Sequence, residues 1–135
     1  MQESRIDLDV IDQALLAALQ RDAHLTAERL GEVLNLSPSQ AGRRRQRLEE
    51  TGLITGYTAR VDPLKAGLTV QAFVQVQMAR HGAETSASFS RLISTQAEVV
   101  SASTLTGEAD YLLRVYCEDL AGLNRLIHQV LLAHP

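Results

Sequence analysis

In the first part of the chain apolar residues recur every three or four positions; after position 68 they recur every second position. The first spacing belongs to amphipathic helices, the second to strands with one buried face. Leu8, Ile11, Leu15 and Leu19 form one stripe on a helix over about Asp9 to Gln20, with Asp7 or Asp9 as its acidic cap. Leu30, Val33 and Leu34 mark the apolar face of a second helix. It opens at the N-cap Thr26 and ends near Leu34, where Asn35 tolerates the left-handed conformation. Ser37-Pro38-Ser39-Gln40 then opens a third helix: a serine cap, proline at the first helical position and glutamine at the third make a capping box. Gly52 marks its end.

On a helical wheel at 100° per residue, Ser39, Gln40, Arg43, Arg44 and Arg47 fall within about 140° of arc, with Ala41 and Leu48 opposite. Arg45 falls at the edge of the apolar side, from which it reaches out to a nucleic-acid backbone or pairs with an acid of the first helix. Leu53 to Val61 reads as a strand, rich in β-branched and aromatic residues. Its Tyr57 and Arg60 either touch phosphate or only join domains. Asp62 to Gly67, bracketed by proline and glycine, is a linker.

Beyond it, Val70, Ala72, Val74, Val76 and Met78 share one strand face, and Gln71, Phe73, Gln75 and Gln77 the other. A helix follows from about Thr85 to Ser94 with Phe89, Leu92 and Ile93 as its stripe. Val99 to Leu105 and Tyr111 to Cys117 are strands joined by the turn Thr106 to Asp110. Asp119 caps a last helix carrying Leu123, Ile127, Val130 and Leu131. Strand, helix, strand, strand, helix is the order of a split β-α-β, ferredoxin-like sandwich, less its final strand. The expected fold class is α+β. Residues 1–61 are a winged helix-turn-helix, 62–67 a linker and 68–135 an αβ-sandwich.

Composition adds limits. The net charge is −3 over 135 residues, so the cluster of four arginines is local and not part of a general basic bias. One cysteine forms no internal disulfide; Cys117, in line with Leu113 and Val115, reads as buried packing. No apolar run spans a bilayer and no leader precedes the first helix, so a soluble cytoplasmic protein without membrane contact is expected. The four histidines stand apart, and no metal or cofactor set is visible.

A capped helix with an arginine face, behind a short helix and a tight turn, fits a DNA major groove. Ser37, Ser39, Gln40, Arg43, Arg44 and Arg47 are the candidate contacts. The arginines can clamp phosphate or read guanine; the alternative is a solvated face paired with Glu49 and Glu50. Gln40 divides between capping and reading adenine.

Several stretches together carry a family resemblance: Leu8-Asp9-x-x-Asp12 with Leu15-Leu16-x-x-Leu19, Leu36-Ser37-Pro38-Ser39, Arg44-x-x-Arg47-Leu48-Glu49-Glu50-x-Gly52-x-Ile54, Gly56-Tyr57-Thr58-Ala59, and Thr106-Gly107-x-x-Asp110-Tyr111-Leu112-Leu113. In this order the chain resembles the Lrp/AsnC, or feast/famine, transcription regulators. The resemblance implies a DNA-binding regulator and not an enzyme. It also implies a regulatory domain that dimerises through its sheet, assembly of dimers into tetramers or octamers, and a small effector, commonly an amino acid, bound between protomers. The chain departs from the family at position 45, usually aliphatic and here arginine, and in lacking the final strand. Gly42 within the third helix costs about 1 kcal/mol relative to alanine.

With the resemblance, the turn Thr106, Gly107, Glu108 and Asp110 becomes the candidate effector site, with Glu98 and Val99 lining the same pocket. Carboxylates there would hold an ammonium and backbone N–H groups a carboxylate; an ordinary hairpin turn uses the same residues. Gln71, Phe73, Gln75 and Gln77, joined by Leu112 and Tyr116, are a half-polar sheet face suited to a partner sheet. Two recognition helices would then read half-sites about one turn of DNA apart. The competing reading is a tetrapyrrole (sirohaem) decarboxylase-like enzyme on the same two-domain plan, for which a histidine-rich strand is expected and not found. A third is a sensor whose helix-turn-helix mediates protein contacts.

Overall fold

A computed structural model of the chain describes residues 4–134; residues 1–3 and 135, which the expected domain ranges include, lie outside the described residues. The chain divides into two compact units, residues 1–59 and 60–135.

The first unit is built of three helices, α1 (Val10–Arg21), α2 (Ala27–Leu34) and α3 (Pro38–Glu50). Asp9 caps α1 by accepting the Asp12 N–H at 2.8 Å, while the Asp12 carboxylate accepts the Asp9 N–H in return. Thr26 caps α2. Asn35 takes the left-handed conformation, φ 54°, and lets the chain turn at once into α3. There Ser37 accepts the Gln40 N–H at 3.2 Å and Gln40 Oε1 accepts the Ser37 N–H at 3.1 Å, closing the expected box. Gly31 makes the turn possible: a Cβ on it would stand 2.6 Å from the Leu36 carbonyl oxygen. Leu15, Ala18, Leu19, Leu30, Ala41 and Leu48 form the core of this unit. Val33, expected on the buried face of α2, is 59% exposed instead. The covered face of α2 is centred on Leu30 and Gly31, where the Leu36–Pro38 turn packs, and Val33 lies outside that arc.

The strand expected over Leu53 to Val61 does not form. The Ile54 N–H donates to the Leu48 carbonyl at 3.0 Å and closes off α3; beyond it the chain is exposed and unladdered. Strand composition alone does not make a strand, because the ladder needs a second edge to pair with, and none is offered among the described residues.

The second unit holds β1 (Val70–Val76), α4 (Ala83–Ser94), β2 (Val99–Thr104), β3 (Tyr111–Cys117) and α5 (Leu120–Arg125). Its segment 62–67, read as a linker, is a folded turn in which the Leu68 N–H donates to the Pro63 carbonyl at 2.8 Å. The sheet order is β1-β3-β2, antiparallel throughout, so β1 and β2 run parallel on either side of β3, as a split β-α-β requires. Alternate residues of β1 are half-buried and exposed. Ala72, Val74 and Val76 pack with Phe89, Leu113, Val115 and Leu126 in the core, and Cys117 is buried at the end of β3. The last helix, expected as one regular element, widens into a π-helical stretch at Leu126–Leu131, which keeps Val130 and Leu131 on the core side.

Candidate nucleic-acid interface

The capping box and Pro38 fix the start of α3, and its exposed face carries Ser37, Ser39, Gln40, Arg43 and Arg47. Ser37 and Gln40 are committed to capping, and the Ser37 and Ser39 hydroxyls lie 3.3 Å apart. Arg43 is exposed, with its Nε donating to the Ser39 carbonyl at 3.3 Å. Ala41 and Leu48 are fully buried, as their place on the wheel requires.

Arg44 and Arg47 are tied to α1. Arg44 Nη1 donates to both Asp9 oxygens at 2.9 and 2.8 Å and to Asp12 Oδ1 at 3.0 Å, while Arg47 Nη2 pairs with Asp12 Oδ2. Asp12 is 1% exposed. A buried carboxylate is tolerated only when its oxygens are satisfied by charged donors, and two guanidiniums and the Asp9 N–H satisfy this one. The Arg44 bond, then the Asp12 N–H, holds the Asp9 carboxyl below its ordinary range; Asp9, then Asp12, raises Arg44. Periodicity could not reveal this pairing, because the partners stand 32 to 35 residues apart. The Leu8-Asp9-x-x-Asp12 and Arg44-x-x-Arg47 stretches are its trace in the sequence. The two acids of the alternative pairing within α3 are otherwise engaged: Glu50 accepts from Gln46, and Glu49 from Arg45 and Tyr57.

Arg45 does not pair with α1. It donates to the Leu25 carbonyl at 2.8 Å and to Glu49 at 3.2 Å, and its guanidinium sits 5.4 Å from the centre of the Tyr57 ring. Tyr57 donates to Glu49 at 2.8 Å. The arginine at this edge position thus gathers three groups where an aliphatic side chain would only pack.

In the second unit, Thr106, Gly107 and Glu108 are exposed at the tip of the β2–β3 turn, with Gly107 at φ 142°. Asp110 is occupied. It accepts the Met78 N–H at 2.7 Å and bonds His81 at 3.0 Å, while its own N–H donates to the Val76 carbonyl. The Met78 N–H, then His81, holds its carboxyl below the ordinary range. Glu98 precedes β2 and Val99 opens it, so the length of the strand, about 20 Å, lies between them and the turn, and one chain does not bring the two sets into one pocket. Glu98 instead borders a cleft of about 550 Å³ with Tyr116, Glu118, Asp119 and Arg125. Burial pushes the Cys117 thiol up, away from reactivity. No cluster of metal-ligating side chains occurs among the described residues.

Comparison with known proteins matches both units. The AsnC-type helix-turn-helix domain covers residues 8–49 and the Lrp/AsnC ligand binding domain residues 71–135. The chain is 38% identical to the DNA-binding transcriptional activator DecR of Escherichia coli over 84% of its length and 74% of that protein's. It is 30% identical to the leucine-responsive regulatory protein of Escherichia coli, over 96% and 79%. Among solved structures, a Neisseria meningitidis transcriptional regulator in complex with L-Met superposes with a TM-score of 0.90 at 34% identity, covering 95% of this chain and 82% of that one. LrpC of Bacillus subtilis gives 0.83 at 30%, over 92% and 86%. With both units matched in order and over most of each relative's length, the chain belongs to the Lrp/AsnC family of transcriptional regulators.

Proposed function

We propose that the chain regulates transcription by placing α3 in the major groove of double-stranded DNA, with Ser37, Ser39, Gln40, Arg43, Arg44 and Arg47 at the interface. The observation that carries this reading is the capped α3 presenting Arg43 to solvent, in no ion pair among the described residues, with Ser39 beside it and Arg44 and Arg47 along the same face. Ser37 and Gln40 serve by holding the helix start, and Gln40 caps in preference to reading adenine. Replacing Arg43 with alanine should weaken duplex binding by about 1–3 kcal/mol if it reads a base, or lower the salt slope by about one if it holds phosphate. An Arg43→Ala protein that binds like the parent at every salt concentration would remove α3 from the interface.

The protein acts as a homodimer or a larger assembly in the cytoplasm, where its DNA is. The exposed face of β1 supports self-association: Phe73 is 64% exposed between Gln71 and Gln75 and shares its side of the sheet with Leu112, Arg114 and Tyr116. An amino acid is the effector, in line with the relative solved with L-Met. Thr106, Gly107 and Glu108 contact it, Asp110 shapes the turn, and Glu98 and Val99 contribute from a neighbouring copy. Calorimetric titration with a panel of amino acids, against the parent and Glu108→Ala, tests this; no heat from any of them would overturn it. No helix among the described residues is long and apolar enough to cross a membrane. The tetrapyrrole-decarboxylase reading has no observation in its favour: none of the four histidines stands on a strand, and the relatives are regulators.

A further inference from the structure

The recognition face of α3 carries its own counter-charge. Asp7 and Asp9, just before α1, and Asp12, in its first turn, line the same cleft as Arg43, Arg44 and Arg47, so three carboxylates stand against three guanidiniums. The carboxylates differ in kind. Asp12 is buried, with both oxygens held by arginines. The Asp9 side chain is 54% exposed, and its 2.8 Å bond to Arg44 faces solvent. Arg43 makes no ion pair among the described residues.

A duplex phosphate that reaches Arg44 therefore meets a carboxylate already in place, and the exposed one is the one it can displace. Displacement leaves the Asp9 carboxylate with its cap bond but no cationic partner beside a polyanion, where it takes up a cation. That uptake offsets one of the counterions released from the DNA, which are the source of non-specific affinity. At a true operator, bonds to base edges add affinity that this exchange does not cancel.

We propose that Asp9 is a specificity-determining residue of the DNA interface, its carboxylate holding Arg44 against phosphates of any sequence, while Asp12 is the positioning residue that keeps Arg44 and Arg47 in register. This inference rests on the reading that α3 meets DNA.

Asp9→Asn tests it, because asparagine caps a helix as well as aspartate and only the charge is lost. Affinity is measured over a range of salt for a duplex of mixed sequence and for a site selected from a random pool. The variant is expected to bind the mixed duplex about tenfold tighter at low salt, with the slope of log affinity against log salt steeper by about 0.9, and with a reduced ratio of selected to mixed affinity. An unchanged slope, or an equal gain on both duplexes, overturns the role of Asp9. Should Asp9→Asn melt early, Asp9→Ser, a second uncharged cap, must give the same steeper slope. Arg43→Ala run alongside separates the two failures. If Arg43→Ala loses affinity while Asp9→Asn equals the parent, α3 still meets DNA and only the counter-charge fails. If Arg43→Ala equals the parent, both fall.

Discussion

The Arg45 guanidinium lies 5.4 Å from the centre of the Tyr57 ring, and the same guanidinium and the Tyr57 hydroxyl meet at Glu49. The segment after α3 is therefore fastened to the helix by a cation over a ring and a shared carboxylate, without any strand pairing. Tyr57 is 45% exposed, so the ring contact stabilises by about 0.5–1 kcal/mol. Tyr57→Ala should lower the unfolding free energy in urea by about that much, and Tyr57→Phe, which keeps the ring and loses the hydroxyl, by less. Equal losses would mean that the ring contact contributes nothing.

Acid should destabilise both units. Asp9, Glu49 and Asp110 all have carboxyls held below their ordinary range: Asp9 by Arg44 first, Glu49 by the Tyr57 hydroxyl first, Asp110 by the Met78 N–H first. A carboxyl depressed in the folded state stabilises above its unfolded value, and that stability disappears as pH falls through the folded value. The melting midpoint should hold from neutrality to about pH 5 and fall below about pH 4. Tyr57 moves the other way: burial, then Glu49, raises its phenol, so its contribution is kept below the ordinary phenol value and lost as alkali takes the pH through the raised one. A Tyr57→Phe protein should show a smaller alkaline loss than the parent.

Two helical glycines should respond oppositely to alanine. At Gly31 the new Cβ meets the Leu36 carbonyl oxygen at 2.6 Å, a backbone atom that cannot swing aside, whereas at Gly42 the nearest group is the Ala27 methyl at 3.8 Å. Alanine gains about 1 kcal/mol of helix propensity at either site. The clash at position 31 outweighs it, leaving a net loss of about 1–3 kcal/mol, while Gly42→Ala should stabilise by up to about 1 kcal/mol. Chemical denaturation of the pair checks both signs.

Phe73 is the residue on which self-association should turn. Its ring is 64% exposed opposite Arg114. Phe73→Glu should leave the fold of the sheet intact, since this face is not in the core. It should lower the assembly state seen by sedimentation, and retention of the parent's mass would move the interface elsewhere.

The local grammar of the chain was legible in detail. The cap at Ser37 with Gln40, the left-handed Asn35, and the alternation of Val70 to Val76 all follow from short-range rules, and the structure agrees with them. What escaped depends on residues far apart. Asp12 drawing Arg44 and Arg47 toward α1, Asp110 engaging the Met78 N–H and His81, and Glu98 standing a strand's length from Thr106 are matters of packing. The 53–61 segment failed for a related reason: a strand is defined by its neighbour, and residue types alone do not supply one.

The two margins of the β1-β3-β2 sheet are not alike. Along β2 the register slips between Val99 and Ser101, and such a bulge spoils the regular spacing of backbone groups that a foreign strand would need. Along β1 the pairing with β3 runs unbroken for seven residues, and its opposite side has no strand beside it among the described residues. A straight, uninterrupted row of amides and carbonyls is the usual seed for edge-to-edge growth. β1 is therefore the margin at which a further strand, from this chain or another, would find an unbroken row to pair with, and a proline introduced there would block that pairing.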